Sequence, residues 1–298
     1  MTTTTVTPGA ASGTFILGGD VEVNRLGYGT MHLAGPGAWG AGRDRDEALR
    51  VLRRAVELGV TFFDTADVYG PFVTDELIRT ALHPYPDELV IGSKVGSSNQ
   101  GAGKWAPIGR PEYLRQQTLL NLRHLGLERI DLLQLHRIDP QVPLEDQIGE
   151  LKSMQDEGLV RHVGLSEVSV DEIKAASAIT QIVSVQNRFN LADRASEDVL
   201  DYCTAEGIAF IPWFPLAYGK LARPGGILAS LASKYDRSPS QLALAWLLRR
   251  SGAILPIPGT SSVRHLEENM ESARIDLTDN EFDMLSALGR AETEKGTR

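Results

Sequence analysis

One cysteine, Cys203, is all that 298 residues hold, so no internal disulfide can form and the fold has no need of an oxidising compartment. Positive charge is also scarce. Thirty Lys and Arg stand against 39 Asp and Glu, a formal net charge of -9, which argues against a nucleic-acid partner because such affinity rests on clustered cations. No run approaches the roughly 18 to 20 apolar residues of a membrane span, and the opening MTTTTVTPGAASG lacks the basic and hydrophobic regions of a signal peptide. The expected setting is therefore cytoplasmic, without a membrane partner, and residues 1–13 read as a disordered tail. Paired CxxC ligands and a Walker GxxxxGK[ST] loop are absent too, so no metal is expected.

What is present is alternation. Short aliphatic or β-branched runs recur at 26–29, 60–64, 88–94, 130–136, 160–165, 182–187, 208–213 and 253–257, with segments of helical period between them. Their starts are about 32 residues apart on average, close to the ~30 residues of one strand-helix-strand unit. Ala48, Leu52, Ala55 and Val56 mark one apolar face of a helix over 44–58, and Ser238-Pro239-Ser240-Gln241 is a capping box with proline in the first turn. A further helix is expected near 279–289. Eight units without a linker-like shift in composition predict one (β/α)8 TIM barrel over 14–298. Thr14–Val23 reads as a hairpin through Gly18-Gly19 that caps its amino-terminal mouth. A doubly wound sheet is disfavoured, because Gly27-Tyr28-Gly29-Thr30-Met31-His32 lacks the third glycine of the dinucleotide turn.

A barrel of this kind carries its chemistry at the carboxyl ends of its strands, which nominates Asp64, Tyr69, Lys94 and His136. Singly, each has an ordinary structural reading. Together they suit proton transfer to a carbonyl oxygen: an ammonium, Lys94, stabilises the phenolate of Tyr69; Asp64 keeps that ammonium charged; and His136 donates to the carbonyl.

These residues sit in stretches that resemble the aldo-keto reductases. The stretches are Phe63-Asp64-Thr65-Ala66-Asp67-Val68-Tyr69-Gly70, Ser93-Lys94, Leu132-Leu133-Gln134-Leu135-His136, Gly164-Leu165-Ser166, Gln186-Asn187, Pro258-Gly259-Thr260 and Glu268-Asn269, and the likeness covers about residues 15–290. The resemblance implies a barrel enzyme that reduces aldehydes or ketones with a nicotinamide cofactor, usually NADPH. It makes Tyr69 the general acid, Lys94 and Asp64 its supports, and His136 the carbonyl-orienting donor. It also places Ser166 and Gln186 at the nicotinamide carboxamide and Trp213 against the ring. Glu167 stands where the family usually has asparagine.

By the same resemblance the pyrophosphate lies near Leu216, Gly219 and Leu221. The 2′-phosphate end meets Gly259, Thr260, Ser261 and Arg264 at the opening of a helix that carries Glu268 and Asn269. Glycine, hydroxyls and free helix N–H groups suit a phosphate. The loops after the first three strands offer Met31, His32, Trp39, Phe72 and Trp105 as pocket walls, favouring an apolar or aromatic carbonyl.

A narrower likeness to bacterial pyridoxal reductases runs through Arg25-Leu26-Gly27-Tyr28-Gly29-Thr30-Met31, Leu33-Ala34-Gly35-Pro36-Gly37, Arg43-Asp44-Arg45, Tyr69-Gly70-Pro71-Phe72-Val73-Thr74 and Ile257-Pro258-Gly259-Thr260-Ser261-Ser262-Val263. Two readings from other classes stand beside the reductase. One is a Schiff-base lyase using Lys94. The other is a non-catalytic nicotinamide sensor, like the potassium-channel beta subunits.

Overall fold

The structure, a computed structural model, describes residues 6–216 and 227–296. In chain order these form α1 (Pro8–Ala11), β1 (Thr14–Leu17), β2 (Val21–Asn24), β3 (Tyr28–Gly29), α2 (Arg45–Glu57), β4 (Phe62–Asp64), α3 (Val73–Leu82), β5 (Val90–Val95), β6 (Ser97–Asn99), β7 (Trp105–Pro107), α4 (Pro111–Leu125) and β8 (Ile130–Leu135). The second half continues with α5 (Leu144–Asp156), β9 (Val160–Ser166), α6 (Val170–Ser177), β10 (Ile182–Gln186), α7 (Glu197–Glu206), β11 (Ala209–Phe210), α8 (Ile227–Tyr235), α9 (Pro239–Arg250), α10 (Val263–Met270) and α11 (Asp279–Gly296).

Seven strands make one parallel sheet in the order β11-β10-β9-β8-β5-β4-β3. Parallel strands joined by helices are buried on both faces, so period-two alternation sorts their side chains between the sheet's interior and its helical cover. On β8, Leu133 and Leu135 join the large cluster under the helices, whereas Leu132 belongs with Phe62, Val90 and Ile257 in a separate interior cluster. On β5 the same rule turns Val90 and Lys94 inward, and leaves Ile91 and Val95 under the helices. Gly92 lies between them because the ring of Phe62 fills that place: a Cβ there would meet it at 3.0 Å. Aromatic bulk on one strand is thus matched by a missing side chain on the next.

The two edges of the sheet are drawn together by residues 253–257. Leu255 N–H donates to Phe210 O at 2.9 Å, and Gly27 N–H to Pro256 O at 2.9 Å. Beyond a bridge between Phe210 and Ile254 this segment makes no ladder, because Pro256 and Pro258 have no N–H to give. The half-buried Arg25 holds it instead, donating to the carbonyl oxygens of Leu248 at 2.7 Å and Ile254 at 3.2 Å.

The expected hairpin is present, β1 and β2 pairing antiparallel from Thr14↔Asn24 to Leu17↔Val21. Its Leu17, Val21 and Val23 pack into the interior cluster, and Asp20 at its turn accepts from His162 at 2.6 Å. Part of the expected tail is ordered, in contrast to the sequence reading of residues 1–13. Thr7 caps α1, Pro8 starts it, and Gly9 lies against Gly59 so closely that a Cβ would meet that carbonyl at 2.0 Å. Two glycines at one contact let the tail dock. The expected capping box at Ser238 is formed with Gln241, and Ser169 forms another with Glu172. The β6–β7 hairpin lies outside the strand pattern read from the sequence.

Candidate active site

Asp64 ends β4 and Lys94 lies one residue before the end of β5, both facing the interior at the carboxyl end of the sheet. The Lys94 ammonium is completely buried, and its Nζ donates to Asp64 Oδ1 at 2.5 Å, Thr65 O at 2.8 Å and Tyr69 OH at 3.4 Å. Asp64 Oδ2 accepts from Gln186 Nε2 at 2.9 Å and from Gln134 Nε2 at 3.3 Å. Four strands therefore fix one ion pair. Gln186 reaches it across a register break between Ile182 and Ser184 on β10, the kind of irregularity that re-aims side chains beside sites.

Tyr69 comes from the loop after β4, and His136 directly follows β8. Their rings and that of Trp105, delivered by β7, meet edge to face, with centroids 6.2 Å apart for Tyr69–Trp105 and Tyr69–His136 and 5.7 Å for Trp105–His136. They line a cleft of about 970 Å³ together with Asp64, Ser166, Gln186 and Trp213.

Burial sets the charge states. It pushes the Tyr69 hydroxyl above its ordinary value while the Lys94 charge pulls the other way, so the net lowering expected from the ammonium is not reached. For Lys94, burial works against the ammonium, but Asp64 and Tyr69 outweigh it and hold the group above its usual value. His136 is driven well below its ordinary value by burial, then by Lys94 and Arg137. Its ring is thus neutral, with one proton to donate, and its buried Nδ1 has no hydrogen-bond partner among the described residues. The set comprises a protonated phenol, a cation behind it and a neutral imidazole beside it, all at one wall. Such a set can give a proton to an oxygen held between phenol and imidazole.

Of the other residues nominated from the sequence, Met31, His32, Gly259 and Ser261 also line the cleft. Phe72 does not. Its φ of 58° turns the ring away to stack on His124 at 4.5 Å. Trp39 is likewise outside the lining, 44% exposed and bridged through its backbone to Gly70. Leu216 packs towards the main core, Thr260 is buried with its carbonyl accepting from Tyr28 OH at 2.5 Å, and Asn269 is buried. Arg264 and Glu268 are paired at 2.7 Å on the surface of α10. Gly219 and Leu221 lie outside the described residues.

The helix opening nominated for a phosphate is α10, followed by α11, and its N–H groups are partly taken. Val263 N–H donates to Glu47 Oε1 at 3.0 Å, and Ser262 N–H to Thr260 Oγ1 at 3.2 Å. Gly259 fits a closely approached surface, since a Cβ there would meet Gly29 O at 2.7 Å and His32 Nδ1 at 2.9 Å. Arg137 and Arg188, which line the cleft, were not nominated, nor was Gln134. Gln134 carried a signal: it shares the inward face of β8 two residues before His136.

Comparison with known proteins decides the family. The sequence profile of the Aldo/keto reductase family matches residues 25–290. The chain belongs to the aldo/keto reductase family. It is an oxidoreductase that works with a nicotinamide nucleotide. It is 51% identical over 277 residues to a Schizosaccharomyces pombe protein named an uncharacterized oxidoreductase, covering 93% of this chain and 90% of that one. It is 44% identical over 286 residues to pyridoxine 4-dehydrogenase of Escherichia coli, covering 94% and 99%. Among solved structures, an aldo/keto reductase from Klebsiella pneumoniae in complex with NADP and acetate superposes with a TM-score of 0.76 at 26% identity, covering 92% of this chain and 94% of that one. These likenesses place the chain on a TIM-barrel-type fold.

Proposed function

We propose that this aldo/keto reductase uses NADPH to reduce an aldehyde to an alcohol, with pyridoxal as the first substrate to test, and that its sheet closes as an eight-stranded barrel with β1–β2 as the cap. The observation that carries the reading is Lys94, fully buried and bonded to both Asp64 and Tyr69 at the wall of the cleft. NADPH supplies the hydride. Ser166, Gln186 and Trp213 would hold the nicotinamide end, and Gly259, Ser261 and Arg264 the phosphate end. The donors and the indole suit a carboxamide ring, and the hydroxyl and guanidinium suit a phosphate.

The chain's own residues manage the proton. Tyr69 OH gives its proton to the substrate oxygen, Lys94 steadies the phenolate left behind, and Asp64 keeps Lys94 charged. His136, neutral, donates to the same oxygen and fixes its angle. Trp105, Met31 and His32 wall the substrate side and favour a flat aromatic carbonyl. The pyridoxine 4-dehydrogenase relative supports that preference.

A Schiff-base role for Lys94 fits less well, because an imine needs a free amine lone pair and this ammonium donates to three acceptors. A nicotinamide sensor would share every residue named. The deciding experiment follows loss of NADPH absorbance with pyridoxal and other aldehydes, using Tyr69→Phe as control. Tyrosine-dependent oxidation supports the reductase, whereas tight NADPH binding without turnover across the panel supports the sensor.

A further inference from the structure

Glu167 follows the last residue of β9 in the left-handed region, with φ 56°, a conformation that costs any residue with a Cβ and that persists where the surroundings impose it. Its neighbours impose it. Glu167 N–H donates to Gln186 O at 3.0 Å, and a single side-chain oxygen, Oε1, accepts from Arg188 N–H at 2.7 Å and from the Trp213 indole N–H at 2.5 Å. One carboxylate thereby ties the end of β9 to the chain after β10 and to the ring after β11.

The Trp213 ring is held by more than its edge. The Arg188 guanidinium lies 5.7 Å from the indole centroid and 5.3 Å from that of Phe214, and Asp193 pairs with it at 2.8 Å. Phe214, next in the chain, is left-handed as well, with φ 64°. Two strained non-glycine residues thus flank an aromatic wall of the cleft, and strain of this kind concentrates at ligand clamps.

We propose that Glu167 is a positioning residue: its carboxylate, shared by the Arg188 backbone and the Trp213 indole, fixes the angle of the ring that receives the nicotinamide. The ligand named here rests on the nucleotide reading above, but the clamp itself does not. Asparagine at 167 would enter the left-handed region more easily, yet its shorter side chain would not span from β9 to the indole. Glutamate keeps the reach and accepts the strain.

The test uses the full chain labelled with ¹⁵N, in which the Trp213 indole resonance is identified by its loss in Trp213→Phe. Glu167→Ala and Glu167→Asn should each move that resonance out of its hydrogen-bonded position and weaken NADPH binding about tenfold in a fluorescence titration. Turnover at saturating NADPH should change far less, because the clamp acts on binding. Glu167→Gln keeps an acceptor oxygen at the same reach, so it should hold both the resonance and the affinity near the parent values. An unmoved indole resonance in Glu167→Ala overturns the proposal. So does a Glu167→Gln protein as weak as Glu167→Ala, which would make charge rather than position the cause. If no aldehyde is reduced while these shifts appear, the clamp stands and the reductase reading falls.

Discussion

Lys94 faces Tyr69 across 3.4 Å from a nitrogen that Asp64 holds at 2.5 Å, so the ammonium is anchored to its carboxylate and only leans on the phenol. That asymmetry suits a residue that stays charged while its neighbour gains and loses a proton. Tyr69→Phe deletes the proton donor and little else, and aldehyde reduction should fall at least ~100-fold. NADPH affinity, read by fluorescence titration, should stay within about twofold. With burial raising the Tyr69 hydroxyl, the phenol remains protonated through the neutral range, so reduction should decline only as pH rises into the alkaline range where it ionises. Retained turnover in Tyr69→Phe would remove tyrosine from the mechanism.

Lys94→Met separates catalysis from folding. Removing the ammonium leaves the buried Asp64 carboxylate without its cation, which costs ~3–5 kcal/mol where a buried pair is broken. The double change Lys94→Met with Asp64→Asn removes the stranded charge and should recover most of that loss in urea unfolding. Reduction should stay absent in both proteins. Activity that returned with stability would reduce Lys94 to a structural role.

The strand ends were legible because period-two alternation and the barrel rule act on local sequence: Phe62 and Asp64, or Leu132 and Gln134, sort inward from spacing alone. What spacing could not supply was the backbone of the loops. Phe72 and Glu167 both take positive φ, and nothing in Gly70-Pro71-Phe72 or Ser166-Glu167 marks a side chain about to turn left-handed. The first was therefore placed on the pocket and lies on His124, and the second was noted only as a departure from asparagine. Residues 253–257 show the opposite case. Their apolar run reads as a strand, but Pro256 and Pro258 withhold the donors a ladder needs, and the segment is held through Leu255 N–H, the Pro256 carbonyl and Arg25. Arg137 and Arg188 escaped notice because each follows a nominated segment and turns into the cleft through tertiary contacts.

Arg264 is 72% exposed and paired with Glu268. Such surface pairs are worth only ~0–1 kcal/mol, so the guanidinium can leave its partner for a phosphate at little cost. Arg264→Ala should weaken NADPH about tenfold and leave NADH nearly unchanged, because only the former carries a 2′-phosphate. The two dissociation constants, measured side by side, check this; equal losses would move the 2′-phosphate away from α10.

Behind the loop that carries Tyr69, Asp75 is completely buried, with Oδ1 accepting from Thr65 Oγ1 at 2.7 Å and Oδ2 without a partner among the described residues. Burial pushes its carboxyl up to about 8 from an ordinary 3.8, and Asp67 nearby is raised in the same sense. A carboxyl raised in the native state binds its proton more tightly there than in the unfolded chain. Its contribution to stability is therefore full below the ordinary value and is lost as pH rises towards about 8. Asp75→Asn keeps the acceptor for Thr65 and cannot ionise, so it should flatten this part of the pH dependence. The Tm of Asp75→Asn relative to the parent should grow by roughly 3 °C or more between pH 5 and pH 8, each kcal/mol being worth ~2–4 °C in a chain of this size. Comparing the two proteins at each pH cancels the other titrating groups except Asp67, whose carboxyl the Asp75 charge helps to raise. A Tm difference that stays constant from pH 5 to pH 8 would mean that Asp75 is already ionised in the folded protein.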